Sequence, residues 1–186
     1  GQFKEWDYHE GLEFFLRDTY EKHGKLSVMV RELNEYYKST ACFYEIEDSW
    51  DGFEWLAADD RDRNIVSFIR RDKKGKEVIV LVSFSGANAK DYLLGVNKKG
   101  KYKIVFDTDD VKYGGEGKIR KKTLSAVARP SHGKQYSIPI DMPAMTCLYL
   151  VREEEPAKSG AKSAAPKSTA GKKTESKTVA KGKLAK

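Results

Sequence analysis

The chain has 186 residues, 39% of them hydrophobic and 34% charged, with a formal net charge of +7. That length allows one ordinary domain and a smaller companion but not a complete (β/α)8 barrel of roughly 250 residues, and no apolar run approaches the roughly 20 residues that cross a bilayer. The positive charge, which would otherwise suggest nucleic acid, is local: residues 156–186 hold nine lysines and one glutamate, leaving residues 1–155 at −1.

The chain opens with Gly1-Gln2-Phe3-Lys4-Glu5-Trp6 rather than with Met. Such an opening lacks the polar slack of a natural terminus, so the sequence is expected to be the back end of a larger enzyme. Leu12 to Tyr20 is a short apolar segment expected to be helical. After Gly24, residues 26–37 carry Leu26, Met29, Val30, Leu33, Tyr36 and Tyr37 at i, i+3, i+4, i+7 spacing. Arg31, Glu32, Asn34 and Glu35 fill most of the other face, which predicts an amphipathic helix. Two helices with no strand between them suit the closing helical turns of a larger domain.

From Phe43 onward the period changes. Ile65–Ile69, Val78–Phe84, Tyr92–Val96, Tyr102–Phe106, Tyr136–Ile140 and Thr146–Val151 are short runs rich in β-branched and aromatic residues. Turn signals separate them, notably Asp72-Lys73-Lys74-Gly75, Lys98-Lys99-Gly100 and Gly114-Gly115-Glu116-Gly117. This pattern predicts an antiparallel β-sandwich of about 110 residues. The run 78–84 is apolar at successive positions, so it should be a central strand buried on both faces. Beyond Val151 a Lys/Ala/Ser mixture without aromatic residues cannot offset its ordering entropy, and disorder is expected. The predicted organisation is a helical segment at 1–42, an all-β domain at 43–153 and a disordered tail at 154–186.

Isolated residues offer little chemistry. Cys42 and Cys147 fit neither a disulfide framework nor a zinc pattern, and a reducing cytoplasm suits them best. His9, His23 and His132 have no partner at metal-ligand spacing and read as surface or loop histidines. The Gly114–Gly117 run lacks the Gly-Lys-Ser/Thr ending of a phosphate loop and reads as a turn. Phe14, Phe15, Trp50 and Trp55 fall in periodic or strand-opening segments and are expected in the core.

Several of these segments occur in an order that resembles the C-terminal part of bacterial 1,4-α-glucan branching enzymes, in glycoside hydrolase family 13 of the α-amylase superfamily. Gly1-Gln2-Phe3-Lys4-Glu5-Trp6 stands where that family has a segment after its last barrel strand. Arg31-Glu32-Leu33-Asn34-Glu35-Tyr36-Tyr37 matches its helix. Gly52-Phe53-Glu54-Trp55 with Asp59-Asp60 matches the opening of its β-domain. Ser67–Arg71, Asp107-Thr108-Asp109, Tyr113-Gly114-Gly115 and Met142–Leu150 follow in sequence. The stretch Lys118 to Arg129 is more basic than the family pattern, and the Lys-rich tail lies outside it.

The resemblance implies terminal barrel helices followed by an amylase-type β-sandwich. It also implies a retaining transglycosylation, which needs two carboxyl groups about 5 to 5.5 Å apart. In that family they come from earlier barrel strands, so no catalytic residue is expected in this chain and the isolated chain should be inactive. Implied partners are α-glucans (glycogen and amylose) and the N-terminal part of the same polypeptide, with no cofactor, metal or membrane. Glu5 and Trp6 would lie near the active-site face, where an indole can stack on sugar, although packing and bracing of the loop is the simpler role for them. Two other readings stand beside this one. A freestanding carbohydrate-binding β-domain would leave the apolar stripe of residues 10–38 uncovered and make the chain poorly soluble. Unspecific nucleic-acid binding through the tail would fade steeply with salt.

Overall fold

A computed structural model describes residue 5 and residues 7–153. Trp6 and the tail at 154–186 therefore lie outside the described residues. A short helix α1 (Phe15–Thr19) leads into α2 (Glu21–Ser39), followed by strands β1 (Phe53–Asp60), β2 (Ile65–Arg71), β3 (Glu77–Ser83) and β4 (Ala89–Val96). Then come β5 (Lys101–Asp107), β6 (Thr123–Ser125), β7 (Tyr136–Met142) and β8 (Cys147–Arg152). Single 3-10 turns stand at Ala41–Phe43, Trp50–Gly52 and Val111–Tyr113.

The helix predicted over 26–37 begins earlier than expected, and Gly24 lies inside it instead of marking its boundary. A Cβ at Gly24 would sit 3.0 Å from the Arg17 carbonyl oxygen, so the bare backbone is what lets α1 lie close against α2. Strand β1 was not apparent in the sequence, because Ala57, Ala58, Asp59 and Asp60 dilute its β-forming character.

All pairings are antiparallel. Six strands form one sheet in the order β1-β2-β3-β8-β5-β6, and β4 pairs with β7 in a separate ribbon. Ile65, Ile69, Ile79, Leu81, Ile104, Leu148 and Leu150 of the large sheet share one core with Leu94, Val96, Ile138, Ile140 and Met142 of the ribbon. The result is the expected sandwich, in a lopsided six-plus-two form. Each fully buried Leu or Ile here contributes about 1.5–3 kcal/mol.

Strand β3 is central and buried on both faces, as its apolar run predicted. Ile79 and Leu81 point into the sandwich, whereas Val80 belongs to a row on the outer face. In that row Trp55 pairs with Phe68, Phe68 with Val80, Val80 with Tyr149, and Tyr149 with Phe106. Phe106 joins it because a β-bulge between Ile104 and Phe106 reverses the alternation.

Half of this outer face is covered. Tyr36 of α2 lies 5.8 Å from the Tyr149 ring and 6.5 Å from Phe106, and Phe43 lies 5.4 Å from Tyr149. Arg70 fastens the 42–46 loop above the sheet by donating to the carbonyls of Cys42, Phe43 and Ile46. Glu32 of α2 accepts from Tyr113 Oη at 2.6 Å and from Lys112 Nζ at 2.7 Å. Those charge-assisted bonds fix the helix to the turn at 111–113.

The aromatic residues expected in the core are not there. Phe14 is 68% exposed, Phe15 59%, Trp50 78% and Trp55 47%. The inner side of β1 is filled by Leu56 and Ala57, which leaves Trp55 on the outer side. Among the described residues, α1 and α2 leave an open groove of about 730 Å³ between them, lined in part by Leu12, Phe14, Leu16, Leu26 and Val30. This is the uncovered apolar stripe that the helical spacing implied.

Gly52 closes the turn before β1, and a Cβ there would sit 2.1 Å from the Ile46 carbonyl oxygen. Gly52→Ala is therefore expected to lower stability by about 1–3 kcal/mol through overpacking. Urea unfolding measures this, and an unchanged midpoint would show that the 44–50 loop yields freely.

Candidate functional site

The most distinctive surface follows from the Gly52-Phe53-Glu54-Trp55 segment. Ser49 caps the turn at 50–52 by accepting the Asp51 N–H at 3.2 Å, and the chain then enters β1. Strand alternation sends Phe53 and Trp55 to one side and Glu54 to the other. Phe53 is the hub of an aromatic cluster, with ring centroids 5.9 Å from Trp50, 4.9 Å from Trp55 and 5.2 Å from Phe68. Trp55 also meets Phe68 edge-on at 5.7 Å. The two indoles are thus held by partly buried phenyl rings while much of their own surface faces water. This is the half of the outer face that α2 does not reach.

Glu54 holds this arrangement from behind. Its carboxylate is ion-paired with Arg71 of β2 and with Lys134 of the turn before β7. It also accepts from Asn97 Nδ2 at 3.2 Å on both oxygens. Arg71 continues to Glu77 of β3 at 3.0 Å, and Glu77 to Lys98 at 3.3 Å. Burial alone would raise the Glu54 pKa, but the bonds from Lys134, Arg71 and Asn97 outweigh it and bring it to about 2. A general acid needs the opposite shift. Glu54 is therefore an ionised strut, and on the other side of β1 the exposed indoles of Trp50 and Trp55 offer surfaces for stacking against a flat apolar face.

The other residues considered from sequence fall elsewhere. Glu5 is exposed. The Glu5–Trp6 substrate contact rests on the resemblance alone. His9 is exposed, and His23 is half-buried. His132 is a half-buried loop residue whose Nδ1 accepts the Gly95 N–H at 3.2 Å and so braces β4, and burial lowers its pKa. Cys42 and Cys147 are free thiols, and burial pushes Cys147 up to about 12, which keeps it unreactive. Gly114 ends the 111–113 turn in the left-handed region, in keeping with the turn reading. Among the described residues no group of three His, Cys, Asp or Glu side chains is placed to hold a metal ion, and no helix is long and apolar enough to cross a membrane. Sequence reasoning missed the aromatic cluster because ring-rich segments usually point inward. The signal available was Trp50 beside Asp51 and Gly52, at a turn rather than inside a strand.

Glu54 sets a pH dependence. Its folded pKa lies below the unfolded value, so its stabilisation is complete above about pH 4.5 and is lost as pH falls toward 2. Glu54→Gln is expected to cost about 1–3 kcal/mol at neutral pH and to flatten the acid limb of the stability curve. Chemical denaturation between pH 2 and 7 checks this, and an acid limb as steep in the variant as in the native chain would refute it.

The sequence profile of the alpha amylase C-terminal all-beta domain matches residues 55–153. The 1,4-alpha-glucan branching enzyme GlgB of Aquifex aeolicus (strain VF5) is 35% identical over 154 residues, which is 82% of this chain and 24% of that relative. The chain thus spans about a quarter of the length of the curated relative it matches. Its resemblance to the C-terminal part of a branching enzyme, read first from separate motifs, extends over most of its length. The antiparallel sandwich with an exposed aromatic edge is the fold of a chain that belongs to the family of alpha-amylase C-terminal all-beta domains.

Proposed function

We infer that this chain is the C-terminal accessory region of a 1,4-α-glucan branching enzyme. Such an enzyme cleaves an α-1,4-glucan and transfers the released oligosaccharide to a 6-hydroxyl, forming α-1,6 branch points in glycogen biosynthesis. The observation that carries this reading is the 35% identity over 154 residues to a branching enzyme. The catalytic carboxylates are supplied by polypeptide outside this sequence. Helices α1 and α2 close the catalytic barrel, which covers their open groove and removes its apolar surface from water.

The aromatic edge gives the β-domain its own part in the reaction. Glucose rings carry C–H groups on their faces and hydroxyls at their rims, so an exposed indole stacks on them while water still reaches the hydroxyls. Trp50 and Trp55 present two such surfaces along one edge, suited to a chain of linked glucoses rather than a single sugar. On the resemblance to branching enzymes, Glu5 and Trp6 are a second candidate glucan contact. A freestanding carbohydrate-binding module would use the same aromatic edge. The groove between α1 and α2 favours the accessory reading, since a freestanding module has nothing to cover it.

Two measurements test these roles. The 186-residue chain should form no α-1,6 branches on amylose, and branching by the isolated chain would overturn the assignment of catalysis to other polypeptide. In native gels containing amylose, the W50A/W55A double variant should lose affinity by about tenfold or more. Its melting temperature should fall by a few degrees at most, because Trp50 is largely exposed and only Trp55, about half exposed, gives up ring contacts with Phe53 and Phe68. Unchanged retardation would remove the aromatic edge as a glucan contact.

A further inference from the structure

Four of the five residues at 118–122 are cationic. Two are accounted for within the fold: Lys118 pairs with Glu116 at 2.7 Å, and Lys122 with Asp107 at 2.8 Å and Asp110 at 3.6 Å. Arg120 and Lys121 are exposed and, among the described residues, pair with no carboxylate. The segment is nonetheless well anchored. Asp109 accepts the backbone N–H groups of Glu116 and Lys118, each at 2.8 Å, and Ile119 is buried. The Lys122 carbonyl accepts the Ile104 N–H at 2.7 Å. Two cations without an ion pair among the described residues are thus carried on a pre-organised backbone, which reduces the ordering cost of binding.

Both cations line a cleft of about 500 Å³, a size typical of small-molecule sites. Lys118, Asp91 and Asp141 also line it, together with the apolar side chains of Leu124 and Pro139. Asp91 has a positive φ of 48° at a bulge in β4, where its N–H donates to Asp141 Oδ1 at 2.9 Å. Its own carboxylate stands 3.5 Å from Arg129.

We propose that this cleft binds a phosphate monoester carried by a sugar. The two cations match a phosphate monoester, whose charge is about −1.5 to −2 near neutral pH. The planar Arg120 fork suits its oxygens. Asp91 and Asp141 accept hydrogen bonds from sugar hydroxyls, and Leu124 and Pro139 take the C–H face of the ring. The same two carboxylates repel any phosphate, and only an ester that brings hydroxyls offsets this by hydrogen-bonding to them, so the site favours the ester over inorganic phosphate. A free sugar phosphate and a phosphate ester on a glucan chain present this chemistry equally.

The test is a titration of the 186-residue chain with glucose 6-phosphate, followed by amide chemical shifts. Inorganic phosphate, glucose and a 6-phosphorylated maltooligosaccharide are titrated in parallel. Glucose 6-phosphate should shift residues 118–124, Asp91 and Asp141, and bind about tenfold more tightly than inorganic phosphate. The R120Q/K121Q variant should weaken it by about tenfold or more, whereas K74Q, which removes a charge from the turn before β3, should leave it unchanged. Tighter binding of the phosphorylated oligosaccharide would assign the site to phosphoglucan, and equal binding to the free ester, and either supports the proposal. Because Arg120 and Lys121 are exposed, the variant's amide spectrum should otherwise overlay the native one; K121Q alone serves if it does not. Equal affinity for inorganic phosphate, equal loss in K74Q, or shifts that lie elsewhere or are absent would each overturn it.

Discussion

The Glu54 carboxylate is a polar tie between the two layers of the β-domain, on which the position of β1 depends. It sits on the edge strand β1 and binds Arg71 of the neighbouring strand, while Lys134 and Asn97 reach it from the turn before β7 and the end of β4. An edge strand has one neighbour and would otherwise depend on half the usual ladder. Because the carboxylate is shared among three donors, its ionised form is favoured over the cost of partial burial. The consequence for the surface is direct. With Glu54 fixed on one side, alternation commits Phe53 and Trp55 to the other, and the aromatic edge exists because the ionic strut is behind it.

The outer face of the large sheet is divided by what covers it. Toward β8 and β5 the aromatic row is capped by Tyr36 and Phe43, and α2 is fixed there by Glu32. Toward β1 the same row runs out into water at Trp55. One sheet surface therefore serves two purposes, seating a helix at one end and presenting indoles at the other. The helix that is seated carries its own uncovered stripe on a further side, so α2 stands between the β-domain and whatever closes the groove.

Much of the fold was legible in the sequence because burial imposes period. The run at 78–84 announced a strand buried on both faces, and β3 is that strand. The i, i+3, i+4, i+7 stripe announced α2 and its unsatisfied side. What was not legible depended on contacts distant in sequence. Strand β1 is short of β-branched residues and is held by its pairing with β2 and by Glu54. Gly24 looked like a helix boundary, although its role is to let the Arg17 carbonyl approach. The indoles of Trp50 and Trp55 were expected inside because large rings usually are; the register of β1 against β2 puts Trp55 on the outer side, and Trp50 stands in the turn before that strand. His132 likewise appeared isolated until the turn at 131–134 brought it against β4.

The part proposed for the β-domain is contact between its aromatic edge and glucan. Its most direct test is a nuclear Overhauser measurement on the chain mixed with maltoheptaose. Cross-peaks between glucose ring protons and the indoles of Trp50 and Trp55 are the predicted result. Sugar contacts confined to other surfaces, with both indoles unperturbed, would contradict it.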